Sequence, residues 1–302
     1  MKQQEFEEKL EKVSDGTLKK QEPMRNHTTF RIGGAADYFI SPKNVKQIKE
    51  IQTLCQIYQI PCEVIGNGSN LLVSDQGIEG VVLQLGTAFS QIRQEGTNLI
   101  VQAGAALSGV AQKAAQSGLT GLEFASGIPG TLGGAVVMNA GAYGGEMSQV
   151  IRQVTLLTKD GEQIILSNEE MQFGYRKSIL TKKPYLVLEA ELCLKEGDPV
   201  LIKANMAELN ARRREKQPLE YPSAGSTFQR PVGYFAGKLI MEAGLAGFRI
   251  GDAQVSEKHC GFVINRGNAA ADEVKTLIDI VQRTVYQKTG VKLELEIRCL
   301  GR

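Results

Sequence analysis

The chain has almost no excess of charge: 35 Lys plus Arg stand against 33 Asp plus Glu, a formal net charge of +2. No global basic field draws it to nucleic acid or to a membrane, so an anionic ligand must be met by local clusters. Histidine is scarce. Only His27 and His259 are present, without metal-ligand spacing, so metal-assisted hydrolysis is unsupported and no metal site is expected. The cysteines (Cys55, Cys62, Cys193, Cys260 and Cys299) are odd in number and contain no C-x-x-C pair. That fits a reducing compartment better than a disulfide framework. No apolar run approaches the ~18 residues of a membrane span. The first residues are rich in Lys and Glu and carry no apolar signal region. A cytoplasmic protein is expected.

What is present reads as globular. Apolar residues make up 42% and charged residues 23% of a 302-residue chain, enough for two domains. Glu5–Val13 reads as a charged helix, a loosely packed arm within residues 1–24. In 45–58, Val45, Ile48, Ile51, Leu54 and Tyr58 recur at helical spacing, and Cys62–Ile65 reads as a short buried strand. Strands at 71–73, 81–85 and 99–103 and a helix from Leu107 continue the pattern. Further strands are expected at 154–158, 162–166 and 186–194. Glu196-Gly197-Asp198-Pro199 marks a boundary. Beyond it the pattern predicts helices at 200–216, near 235–243 and at 272–287, and strands near Gln254 and Phe262. A final alternating strand at 293–299 places Glu294, Glu296 and Arg298 on one face. The domains expected are 25–197 and 198–302, with the last strand packing back on the first of them. The alternation supports an α+β protein.

Two glycine-rich segments stand out. Gly66-Asn67-Gly68-Ser69-Asn70 directly follows a strand, and its glycines let backbone N–H groups approach a ligand closely. A tight turn explains it equally well when taken alone. The second segment contains Gly127, Ile128, Pro129, Gly130, Gly133 and Gly134, then Asn139, Gly141, Ala142, Gly144 and Gly145. Tight packing accounts for some of these glycines but not for two such loops. No G-x-G-x-x-G opens a helix after the first strand. Gly233-Tyr234-Phe235-Ala236-Gly237-Lys238 is one residue short of a phosphate-binding P-loop, and Leu239 stands where Ser or Thr should bind magnesium. Dinucleotide-fold and kinase readings fall here.

Several segments together resemble the UDP-N-acetylenolpyruvoylglucosamine reductase (MurB) family in its shorter form. They are Thr28-Thr29-Phe30-Arg31-Ile32-Gly33-Gly34, the two glycine segments, and Tyr175-Arg176-Lys177-Ser178. Ser223-Ala224-Gly225-Ser226-Thr227-Phe228 and Leu293-Glu294-Leu295-Glu296-Ile297-Arg298 follow. Their order holds over about nine-tenths of the chain. The resemblance implies a vanillyl-alcohol-oxidase (PCMH-type) FAD-binding domain followed by a smaller α+β substrate-binding domain. It implies non-covalent FAD, NADPH as electron donor, and UDP-N-acetylglucosamine enolpyruvate as the substrate reduced to UDP-N-acetylmuramate. Such an oxidoreductase serves peptidoglycan synthesis, and through it cell shape and division. A monomer is the favoured state.

By the same resemblance, FAD contacts fall on Gly66, Asn67, Gly68, Ser69, Asn70, Gly127, Ile128, Pro129, Gly133, Gly134, Asn139, Gly141 and Ala142. Arg176, Ser226 and Glu296 are the implied catalytic residues. Arg176 would clamp a carboxylate through two parallel hydrogen bonds, Ser226 would donate a proton, and Glu296 would stabilise the intermediate. Substrate contacts are expected from Tyr175, Lys238, Gln254, His259 and Asn265. Arg230 stands where longer members place an Asn, and no aromatic insertion lies between Gln229 and Gln254. Read without the resemblance, Arg176 is a surface cation, Ser226 a turn residue and Glu296 part of a solvated face. Two other functions compete: an FAD oxidase of alcohols or lactones, and a non-catalytic sugar-nucleotide binder. Many such oxidases tether flavin through a loop histidine, and neither glycine segment contains one.

Overall fold

A computed structural model describes residues 2–302. The chain divides into two compact units, each discontinuous in sequence. The first comprises residues up to Lys20, Tyr38–Asn67 and Gly80–Arg212; the second comprises Gln21–Asp37, Gly68–Glu79 and Arg213–Arg302. This differs from the boundaries expected at residues 24 and 197. Two short segments, 21–37 and 68–79, pack with the C-terminal part although the chain reaches them early.

In the first unit, helix α1 (Lys2–Ser14) is no loose arm. Phe6 and Leu10, one turn apart, are 1% and 0% exposed and join the main hydrophobic core. The Phe6 ring lies edge-on to Tyr38 at 5.6 Å. Helix α2 (Val45–Tyr58) follows the apolar spacing and buries Ile48, Ile51 and Cys55. Asn44 Oδ1 caps it, accepting from the Gln47 N–H at 2.9 Å. Cys62–Ile65 then pairs in parallel with Ile78–Gln84, as a strand–helix–strand unit requires.

The centre of this unit is a five-stranded antiparallel sheet. Its spatial order is Gln163–Ser167, Ile151–Leu157, Leu186–Cys193, Asn98–Gln102, Ile92–Glu95. Helix α3 (Leu107–Gln116) and the short α4 (Leu132–Val137) accompany it. Small side chains such as Ala111 and Ala114 let α3 sit in the core. The turn-rich stretch at 195–200 is not a unit boundary. Lys195–Glu196 pairs with Leu119–Thr120, and helix α5 (Pro199–Lys216) still belongs to the first unit up to Arg212.

The second unit has its own core, from Phe30 and Ile32 to Leu293 and Ile297. A four-stranded sheet runs in the order Ser223–Ser226, Phe262–Asn265, Ala253–Val255, Arg249–Ile250. Helices α6 (Ala236–Glu242) and α7 (Ala271–Thr289) bury Leu239, Ile240, Val274, Leu277 and Val281. Asp75 caps α7 from a distant segment: its carboxylate accepts from Ala271 N–H at 2.9 Å and Asp272 N–H at 3.1 Å.

The alternating 293–299 segment is not one strand. Only Arg298–Leu300 is extended and paired, in parallel with Leu71–Val73, and both belong to the second unit. Residues 294–296 instead bond to 227–229: Gln229 N–H donates to Glu294 O at 2.8 Å and Glu296 N–H to Thr227 O at 2.9 Å. Among the described residues, no helix is long and apolar enough to cross a membrane.

Candidate active site

In the first unit the two glycine segments meet. Asn67 Nδ2 donates to Pro129 O at 3.2 Å. A Cβ on residue 66 would come 2.2 Å from Thr131 Oγ1, so only glycine allows this approach. Thr131 is buried and caps α4. Leu132 N–H donates to Ala105 O and Gly133 N–H to Ala103 O, each at 2.8 Å, which fixes the loop against the sheet end. Gly127, Ile128, Gly133 and Gly134 stay accessible, as do the half-buried Gly141 and Ala142. Thr131 was not singled out from the sequence. Its signal was a Thr immediately before the apolar–glycine run that opens a helix.

Tyr175 and Arg176 form the tip of a tight turn. Gly174 N–H donates to Lys177 O at 3.0 Å, and Lys177 N–H donates back to Gly174 O at 3.2 Å. Arg176 has φ +53, a conformation left-handed turns usually give to Gly or Asn. The turn is tied to the glycine segment twice. Arg176 Nη2 donates to Gly141 O at 3.1 Å, and Asn139 Nδ2 donates to Gly174 O at 3.2 Å. The Arg176 guanidinium also lies 5.2 Å from the centre of the exposed Tyr175 ring. Asn139 and Tyr143 share the positive φ, at +41 and +53. Such clustering of strained backbone is common at functional sites.

Asn139, implied by the resemblance as a cofactor contact, keeps its side chain inside the fold. Its side chain is 0% exposed, and its Oδ1 accepts from Ser148 N–H at 2.9 Å. With both ends used inside the fold it shapes the loop and presents no side chain to a cofactor.

In the second unit, Gly68 has φ +62, and a Cβ there would lie 2.2 Å from His27 O. The half-buried Ser69 follows it. Asn70 Nδ2 donates to Glu296 O at 3.0 Å, and Asn70 O accepts from Arg298 N–H at 2.9 Å. Ser226 ends a bulged strand: Ser223 pairs with Ile264 and Ser226 with Phe262, so one extra residue is accommodated between them. Bulges re-aim side chains, often beside active sites. Thr227 locks the position, donating its N–H to Gly261 O at 2.8 Å and accepting from Val263 N–H at 3.0 Å. The Glu296 N–H to Thr227 O bond then places Glu296 beside the residue following Ser226.

The other implied substrate contacts divide. Lys238 is exposed and 3.7 Å from Glu242 in α6. Gln254 Nε2 donates to Gly247 O at 3.0 Å. His259 Nδ1 accepts from Gly261 N–H at 3.1 Å; its ring lies edge-on to Phe262 at 5.0 Å, and burial pushes its pKa down. Asn265 is braced within the fold. It is 1% exposed, donates to Phe30 O at 3.1 Å, and accepts from Gly267 N–H at 2.9 Å and Ala269 N–H at 3.0 Å. Its amide is consumed by the fold. Among the described residues, no three His, Cys, Asp or Glu side chains group as metal ligands.

The chain is a flavoprotein. Residues 36–167 match the FAD binding domain family, and residues 217–300 match the family described as UDP-N-acetylenolpyruvoylglucosamine reductase, C-terminal domain. A UDP-N-acetylenolpyruvoylglucosamine reductase of Agathobacter rectalis is 54% identical over 296 residues, covering 94% of each chain. One from Clostridioides difficile is 50% identical, covering 96% of this chain and 95% of that one. A crystal structure of UDP-N-acetylenolpyruvylglucosamine reductase (MurB) from Thermus caldophilus superposes with TM-score 0.80 at 38% identity, covering 92% of this chain and 97% of that one. The chain belongs to the UDP-N-acetylenolpyruvoylglucosamine reductase family.

The residues present fit FAD. Neither 66–70 nor 127–135 carries an acidic side chain, and both offer accessible glycine backbone, the donor set a pyrophosphate requires.

Proposed function

We propose that this chain reduces UDP-N-acetylglucosamine enolpyruvate to UDP-N-acetylmuramate for peptidoglycan precursor synthesis, with FAD held non-covalently and NADPH as electron donor. The observation that carries the reading is 54% identity to a UDP-N-acetylenolpyruvoylglucosamine reductase over 94% of both chains. Five free cysteines support a cytoplasmic location.

The backbone of Gly66, Asn67, Gly127, Ile128, Gly133 and Gly134 would hold the cofactor pyrophosphate, with Gly68 and Ser69 completing the loop. FAD bound there would supply hydride-transfer chemistry between NADPH and one carbon of the substrate double bond. Arg176 holds the substrate carboxylate through its planar fork, and its charge stabilises the enolate that develops there. Its bond to Gly141 O and the strained turn support this role by fixing the guanidinium before substrate arrives. Ser226 Oγ gives its proton to the second carbon and regains one from solvent, so hydride plus proton saturate the bond. Glu296 steadies the same intermediate. Its backbone bond to Thr227 O, next to Ser226, supports that assignment. Tyr175, Lys238, Gln254, His259 and Asn265 are the further residues assigned to the substrate side.

A visible absorption experiment tests the reading. Acid precipitation should release yellow FAD into the supernatant. NADPH should bleach the holoenzyme, and the enolpyruvyl nucleotide should restore its colour as UDP-N-acetylmuramate accumulates. Colour that oxygen restores but the nucleotide does not would overturn it.

A further inference from the structure

The second unit contains a closed circuit of hydrogen bonds around the implied proton donor. Thr29 N–H donates to Gly68 O at 3.4 Å, and Thr29 Oγ1 donates to Ser223 O at 2.7 Å. Ser223 opens the bulged strand that ends at Ser226. From Ser226 the chain passes to Thr227, whose carbonyl accepts from Glu296 N–H at 2.9 Å. Glu296 O accepts from Asn70 Nδ2 at 3.0 Å, and Asn70 lies two residues from Gly68.

We infer that Thr29 is the positioning residue for Ser226: its hydroxyl sets where the bulged strand begins, and so where the Ser226 hydroxyl points. The inference rests on the proton-donor reading of Ser226 given above. Thr29 itself has little freedom. Its neighbours Thr28 and Phe30 are 7% and 0% exposed. Thr28 Oγ1 donates to Ile32 O at 3.1 Å, and Phe30 O accepts from Asn265 Nδ2 at 3.1 Å. The strand end at Ser223 needs such an anchor. Between Ser223 and Ser226 the ladder is irregular, and Gly225 has φ +78, so this stretch holds its own register weakly. A short hydroxyl-to-carbonyl bond at its first residue fixes the bulge against a rigid segment. The Gly68 end of the circuit gives the serine strand a fixed relation to the loop segment 68–70.

Thr29→Val keeps the shape and deletes the hydroxyl; Thr29→Ser keeps the hydroxyl. In stopped-flow absorbance on holoenzyme, Thr29→Val should be bleached by NADPH at the wild-type rate. Its reoxidation by the enolpyruvyl nucleotide should slow about 10–100-fold, the scale of a misplacement near 1 Å. Thr29→Ser should reoxidise within about 3-fold of wild type, since the hydroxyl-to-carbonyl bond is restored. In a Ser226→Ala background, Thr29→Val should add almost nothing, because a positioning residue has nothing left to position. Equal slowing of both half-reactions would overturn the inference, as would additivity with Ser226→Ala, or loss of FAD by Thr29→Val with retention by Thr29→Ser. Wild-type reoxidation by Thr29→Val would overturn it while leaving the reaction intact. Only a wild-type enzyme that the nucleotide cannot reoxidise would bring down the proposed function along with it.

Discussion

The side-chain amide of Asn70 donates a hydrogen bond to the backbone carbonyl of Glu296 at 3.0 Å, although the two residues are 226 positions apart in the chain. A residue implied by resemblance to touch the cofactor thus turns its side chain to the backbone of Glu296. Asn70→Ala removes this bond and should cost about 0.5–1.5 kcal/mol of stability. Asn70→Asp sets a carboxylate against a carbonyl oxygen and should cost more. Urea unfolding measures both. An unchanged midpoint for Asn70→Ala would show that the bond contributes nothing.

Arg176→Lys keeps the charge and loses the planar fork. Turnover should fall about 10²–10³-fold, the usual loss when one preorganised donor is removed, with FAD content unchanged. Steady-state kinetics on holoenzyme with a matched flavin spectrum checks this. Near-normal turnover would return Arg176 to the role of a surface cation.

Ser226→Ala should bind FAD and be bleached by NADPH normally. Reoxidation by the enolpyruvyl nucleotide should slow by about 10²–10⁴, the contribution of a positioned general acid. Ser226→Cys should recover part of the loss, because a thiol still carries a proton. Equal slowing of both half-reactions would mark the serine as structural.

Phe6→Ala tests whether α1 belongs to the core. A buried Phe at 1% exposure, edge-on to Tyr38, should cost about 3–5 kcal/mol on truncation. A loosely attached arm would lose well under 1 kcal/mol. The urea midpoint discriminates the two.

His259 should make the fold acid-sensitive. Burial lowers its pKa from the ordinary 6.5, and protonation of Nδ1 would displace the Gly261 N–H bond. Below about pH 6.5 the unfolded chain takes up a proton that the folded chain resists. The stability due to the neutral ring is therefore full above that pH and declines as pH falls below it. His259→Gln should lose less melting temperature than wild type between pH 8 and pH 5.5. An equal drop in both would exclude His259 as the cause.

Much of this protein was determined by its sequence alone. The spacing of Val45, Ile48, Ile51 and Leu54 is sufficient to place α2 at Val45–Tyr58, because a 3.6-residue period is a local property. The bulge carrying Ser226 and the turn carrying Arg176 fall inside motifs legible as short runs of residues. Only the tertiary structure decided where those runs go. Alternation at 293–297 is strand-like, yet these residues bond to the 227–229 segment, since pairing depends on which partner is near. Asn139 and Asn265 carry the same side chain as an exposed ligand contact would. Burial alone turns them into internal braces. Segments 21–37 and 68–79 join the C-terminal residues in one unit, and through them Thr29 and Asn70 reach Ser223 and Glu296. No local period encodes a contact across two hundred residues; it forms only when packing brings both ends to the same place.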